Sequence, residues 1–187
     1  LPGPDLLETR YALVRAALRD RDLKRARDVH AAMQRDHPRS EQSSPLLALL
    51  HGELLLAENK PGEAATVLQA AFKRHGGYRP LAYLYARAML RHGKPGEALA
   101  FLNQQQSFWA ADVQFQQLSA ESYQALGQTA RAHLAQAEAY VLQDRLSPAI
   151  EQLQLAQRDR QTDFYTQSIV DARLRELKSR ESAEQVK

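Results

Sequence analysis

Histidines and carboxylates are the side chains in this sequence that could do chemistry. The histidines are His30, His37, His51, His75, His92 and His133. Zinc-dependent hydrolysis needs two histidines one helical turn apart with a glutamate base beside the first, the HExxH pattern. No HExxH is present. The nearest approach, His51-Gly52-Glu53, has the wrong spacing and lacks the second histidine. The six histidines are scattered over helix ends and faces, so helix packing or surface exposure is the expected role of each. Glu53, Glu97, Glu121 and Glu138 could supply carboxylates for acid–base work. They fall in different segments, and a solvated or groove-lining role is expected. Gly93-Lys94 is not a phosphate loop, because the upstream glycine and the following Ser or Thr are missing. No Ser/His/Asp set stands out. The chain is therefore expected to hold no catalytic residue, no cofactor and no metal ligand of its own.

Bulk properties narrow the remaining classes. There are 25 Lys and Arg against 22 Asp and Glu over 187 residues, a formal charge of +3. The basic residues are interspersed with acids, as on a solvated helical surface, which argues against a nucleic-acid groove. The absence of cysteine excludes a disulfide framework and Cys-based zinc sites. Apolar runs such as Leu46–Leu50 are far short of the ~20 residues that span a bilayer. No signal peptide is apparent. A chain that starts at Leu1 rather than Met is expected to be part of something longer.

The elements that must position these residues show themselves through repetition. "KPGEA" occurs at 60–64 and again at 94–98. Ala64, Ala98 and Ala132 are spaced by 34 residues. Gly52, Ala86 and Ala120 keep the same step, as do Leu55, Met89 and Tyr123. So do the turn residues Asn59, Gly93 and Gly127. Leu68 and Leu102 continue the set, with Gln136 as a polar departure. Each unit reads as two helices and a tight turn. Gly or Asn closes the first helix in the left-handed conformation. Pro61, Pro95 and Pro148 are then expected at the first position of the second helix, where a missing N–H costs nothing. Glu63 and Glu97 suit the helix dipole. The small residues mark close helix contacts.

A helix–turn–helix period of 34 with this small-residue pattern resembles the tetratricopeptide repeat. The resemblance implies an all-α solenoid, a right-handed superhelix with a C-terminal capping helix. The expected units are about 7–40, 45–78, 79–112 and 113–146, in a single array over 1–187. In the first unit Ala26 takes the alanine position and Pro38 the closing proline. The step from Ala26 to Ala64 is 38, so about four residues are inserted near "RSEQS". That connection is the expected place for a shift in path or for flexibility. Farther on, Ala149 follows Ala132 by only 17, half a repeat. The helix at 130–143 must then serve twice, giving a half-repeat over 130–160. An amphipathic helix at 163–180 is expected to cap the array, with 181–187 a frayed tail.

The run "HLAQAEAYVLQDRLSPAIEQLQLAQRDRQTDFYTQSIVDARLRELK" (133–178) is similar to the C-terminal end of the periplasmic zinc metalloproteases of the BepA/YfgC type. In that family an HExxH domain is followed by a tetratricopeptide-repeat domain. The resemblance implies a periplasmic location and a role in outer-membrane protein quality control. Partners would be polypeptide segments, among them outer-membrane proteins or their assembly machinery, and the chain's own protease domain. Zinc is expected only in that upstream domain. The alternative is a free-standing adaptor or assembly chaperone of a secretion or pilus apparatus. An enzyme site within these residues is the third reading, and zinc binding or hydrolysis by them is not expected.

Solenoids grip partners with the first helix of each unit. In this repeat the groove positions are the fifth, ninth and twelfth. They hold Tyr11, Arg15 and Leu18; Leu49, Glu53 and Leu56; Tyr83, Arg87 and Leu90; and Gln117, Glu121 and Gln124. Anchors alternating with Arg and Glu suit an extended peptide. The repeats that clamp a chaperone's terminal carboxylate use Lys at the fifth position and Asn at the ninth. Neither occurs here, which disfavours that reading. Phe108, Trp109 and Phe115 are expected to plug the seam between repeats; an exposed docking patch is the alternative.

Overall fold

The computed structural model describes residues 6–185, and among these there are helices and no strand. They fall into two compact units, Leu1–His92 and Gly93–Lys187.

The first unit holds α1 (Leu6–Arg19), α2 (Leu23–Asp36), α3 (Ser40–Ser43), α4 (Pro45–Ala57), α5 (Pro61–Arg74) and α6 (Arg79–Arg91). Helix α2 buries Ala26, His30 and Met33, a face at i, i+4 and i+7 spacing. Ala26 and Met33 join Val14, Ala17, Leu47, Leu50 and Leu54 in one cluster. Asp22 caps α2 by accepting from the Arg25 N–H at 3.0 Å, satisfying a donor the helix cannot pair. Gly52 is buried where α4 meets α5, and a Cβ there would come within 2.6 Å of the Leu68 side chain. This close approach explains the small residue at that repeat position.

The second unit holds α7 (Pro95–Trp109), α8 (Val113–Ala125), α9 (Thr129–Val141), α10 (Leu146–Gln157) and α11 (Phe164–Gln185). Helix α9 packs against both α8 and α10. Five alanines make this possible, since Ala130, Ala132, Ala135, Ala137 and Ala139 are all buried. Val170, Leu174 and Leu177 of α11 close over Ala149, Ile150 and Leu153 of α10. Arg173 ties α11 to α9 through two bonds to Glu138, at 2.7 and 2.8 Å.

The helix turns repeat one backbone device. Asn59, Gly93 and Gly127 have φ of 60°, 75° and 72°. Arg21 and Asp144 take the same conformation, with φ of 60° and 54°. The following N–H bonds back five residues, from Lys60 to Leu55 at 2.8 Å and from Gln128 to Tyr123 at 2.9 Å. Asp22 to Ala17 and Arg145 to Tyr140 close in the same way, at 2.9 and 3.0 Å. This is the Schellman closure of a helix C-terminus.

Four sequence expectations change or gain detail. Pro148 is the third residue of α10, not the first, because Leu146 starts the helix. It is tolerated there because the first four N–H groups of a helix lack partners. The longer connection near "RSEQS", expected as a place for a shift in path or for flexibility, holds the single helical turn α3. Helix α11 does not fray at Arg180; it runs to Gln185, with the Ser147 hydroxyl donating to Glu181 at 2.7 Å. Residues 186 and 187 of the expected tail lie outside the described residues. Finally, α6 packs on α4 and α5 while α7 packs on α8, so the unit boundary falls inside the expected repeat 79–112.

Candidate functional site

In the second unit, α8 presents Gln117, Glu121 and Gln124 on one exposed face. Asp112 starts that helix by accepting from the Gln114 N–H at 2.8 Å. The opposite face is held by buried Phe115, Leu118 and Ser122. The three exposed side chains line a groove of about 480 Å³ with Ala120 of α8, Ala132, His133 and Gln136 of α9, and Gln152 of α10. His133 Nδ1 lies 2.8 Å from Gln152 Oε1, bracing the far wall. Four primary amides therefore share one groove, and each offers both a donor and an acceptor. A peptide group carries the same pair of functions. Such a groove can bond the main chain of an extended segment whatever its side chains.

Sequence reasoning found the α8 wall and missed the other. Gln136 was the available signal, since it stands where earlier repeats have Leu68 and Leu102. Those leucines are fully buried, whereas Gln136 is half-buried and lines the groove. A second groove of about 510 Å³ lies between α7, α8, α9 and α11, with Phe115, Tyr123, Leu134, Tyr165 and Ile169 among its apolar lining.

The groove positions of the first unit fare differently. Arg15 of α1 and Glu53 of α4 form an ion pair with each other. Tyr11 packs against the α1–α4 cluster as a half-buried side chain. Leu18, Leu49 and Leu90 are half-buried, and Arg87 is exposed. Tyr83 and Leu56 are interior residues, 4% and 5% exposed. Tyr83 therefore corrects the expectation of a free aromatic anchor. The aromatic trio also divides: Trp109 and Phe115 are buried at 6% and 3%, but Phe108 stands 78% exposed.

The histidines are less scattered than the sequence suggests. His30 of α2 and His51 of α4 flank Glu41 of α3. His30 Nε2 and His51 Nδ1 each lie 2.9 Å from one Glu41 oxygen. Burial pushes the Glu41 carboxyl up, but His30, His51 and Gln34 together outweigh it and hold it at about 2. A carboxylate in the connecting segment thus gathers two imidazoles 21 residues apart in sequence.

Residues 55–122 match the family model for the tetratricopeptide repeat. A solved structure titled "MamA RS-1 ArsTM double mutant" is similar with a TM-score of 0.64, covering 96% of this chain and 98% of that one. Its sequence identity is 16%, so the likeness concerns the fold. No curated protein matches the chain. The fold is an all-helical, tetratricopeptide-type array with a capping helix. Such arrays serve protein–protein interaction and bind polypeptides. No helix among the described residues is long and apolar enough to cross a membrane.

Proposed function

We propose that this chain is a non-catalytic module that grips extended polypeptide segments, and that it forms the substrate-handling part of a periplasmic zinc metalloprotease or chaperone in outer-membrane protein quality control. The observation that carries the binding reading is the amide-lined groove of Gln117, Gln124, Gln136 and Gln152 with Glu121 at its edge. Main-chain recognition suits a module that must hold many different unfolded chains. The exposed Glu121 favours segments that carry Lys or Arg. The parentage is supported by the similarity of residues 133–178 to the BepA/YfgC-type C-terminus and by α9 serving two helix pairs. Outer-membrane proteins, their assembly machinery and an upstream protease domain are the corresponding partners.

Binding is tested by fluorescence anisotropy with an unfolded outer-membrane-protein segment. Replacing both Gln117 and Gln124 with Ala is expected to weaken it roughly tenfold, since lost hydrogen bonds cost about 0.5–1.5 kcal/mol each. Lys24→Ala, an exposed change in the first unit, is expected to leave it unchanged. Equal binding by the double variant would remove the groove from the account. The parentage is tested separately, by reading the native coding sequence upstream of Leu1. An HExxH helix there supports the protease reading. Its absence would replace that reading with the free-standing adaptor.

A further inference from the structure

His30, Glu41 and His51 come from three helices of the first unit, α2, α3 and α4. Their potential ligand atoms all lie within 4.8 Å of one another. The two imidazole rings have centroids 4.6 Å apart and planes inclined by 40°. His30 is 4% exposed. Its Nε2 is within 2.9 Å of Glu41 Oε1, yet that buried nitrogen has no hydrogen bond in line with it. A buried polar atom without an aligned partner is costly, about 1–3 kcal/mol. An ionised carboxylate can only accept. Direct pairing of the trio therefore leaves the His30 nitrogen poorly served.

A cation among the three groups removes that mismatch. The donor set is two imidazole nitrogens and one carboxylate oxygen. Calcium and magnesium prefer oxygen ligands throughout, whereas zinc accepts this mixture. We propose that His30, Glu41 and His51 bind a divalent transition-metal ion of the zinc type, with its remaining coordination open to solvent. Donors about 2.0–2.1 Å from a tetrahedral ion stand about 3.3 Å apart. The two 2.9 Å contacts are to different oxygens of Glu41, so an ion held by all three residues either takes both oxygens or draws one imidazole inward from a separation of at most 4.8 Å. Gln34, one turn along α2 from His30, donates to Glu41 Oε1 at 2.8 Å. That bond orients the carboxylate, as outer-shell partners do in metal sites.

The position of the site gives it a structural purpose. It joins α2 to α4 through α3, where the sequence carries about four residues beyond its regular repeat. A bound ion staples a connection that otherwise depends on a four-residue helix. No hydrolysis follows from it. Zinc binding by this chain reverses the expectation drawn from its motifs, which considered only histidines close in sequence.

The test uses the full 187-residue chain, freed of metal and titrated with zinc chloride by calorimetry and with cobalt chloride by visible absorption. One equivalent is expected to bind with a dissociation constant of about 1 μM or tighter. At zinc about 100-fold above that constant, opening of residues 37–44 in hydrogen exchange should fall roughly 100-fold. Glu41→Gln and His51→Gln should abolish binding, while His92→Gln, at an exposed position, should retain it. In case a ligand variant unfolds, the unaltered chain supplies a second readout by NMR. Zinc should shift the ring resonances of His30 and His51 and leave those of His75, His92 and His133 in place. Absent binding, binding undiminished in both ligand variants, or shifts confined to the other histidines would each overturn the site.

Discussion

Arg21 occupies a left-handed turn with φ of 60°, the conformation that Gly93 and Gly127 take at later turns. An L-residue there pays roughly 1–2 kcal/mol that glycine avoids. Glycine in turn loses more chain entropy on folding, about 0.5–1 kcal/mol. Arg21→Gly is therefore expected to raise stability by up to about 1 kcal/mol, as read by urea unfolding. A clear loss would mean that the Arg21 side chain contributes more than its exposed position suggests. Asp163 supplies a pH test at the start of α11. Its carboxyl is held at about 2 by the Thr166 backbone N–H first, then by the Thr166 hydroxyl, against a small opposing effect of burial and with help from Arg131. A depressed carboxyl stabilises the fold above its ordinary value of 3.8 and loses that effect as the pH falls towards about 2. The stability gap between the wild-type chain and Asp163→Ala should therefore narrow as the pH drops from about 5 to about 2. A gap independent of pH would remove Asp163 from that role. Residue types at turns were legible in the sequence because backbone conformation is local. The meeting of His30 with His51 was not. It depends on Glu41, in a connection that breaks the repeat spacing, and no local pattern marks it.

Helices were legible wherever the repeat imposed its register. Ala64, Ala98 and Ala132 were aligned by the 34-residue spacing, Ala26 and Ala149 by their helix contexts, and each of the five is no more than 5% exposed. Ala98 is fully buried near the start of α7. Ala98→Leu is expected to overpack that contact and cost about 1–3 kcal/mol, as read by thermal or urea unfolding. A change within about 0.5 kcal/mol, typical of a surface site, would show that the register is misplaced. Helix α9 was readable as a shared element because the half-repeat step from Ala132 to Ala149 leaves no room for another helix. Its alanines then admit neighbours on two sides. The start of α10 was less legible. Proline fits any of the first few positions of a helix, so Pro148 did not fix which one it held. Groove residues were the least legible elements of the pattern. Position in the repeat gives the face of a helix, but burial depends on what packs against it. Gln117 is exposed and Tyr83 is buried at the same repeat position.

At the scale of the molecule, the contacts of α11 define how the second unit should come apart. Its apolar side chains cover α10, and Arg173 reaches Glu138 on α9. Glu138 in turn holds the Arg173 guanidinium above its ordinary pKa through their side-chain bonds. Energies in stacked helical arrays are close to nearest-neighbour sums. Deleting residues 163–187 removes the cover from Ala149, Ile150 and Leu153 and leaves Glu138 without Arg173. Hydrogen exchange should then quicken first in α10, next in α9, and least in α1 to α5. Deletion also removes Asp163, but α10 should still report the loss, because its exposed apolar face is the larger change. Leu174→Ala separates these contributions, since it keeps the helix and its cap while opening a cavity. Leu174 is 4% exposed, and the substitution should cost about 2–5 kcal/mol with the same order of exchange. Uniform acceleration over both units would contradict nearest-neighbour behaviour. Acceleration confined to the site of substitution would show that α11 is a passive cover rather than a stabilising cap.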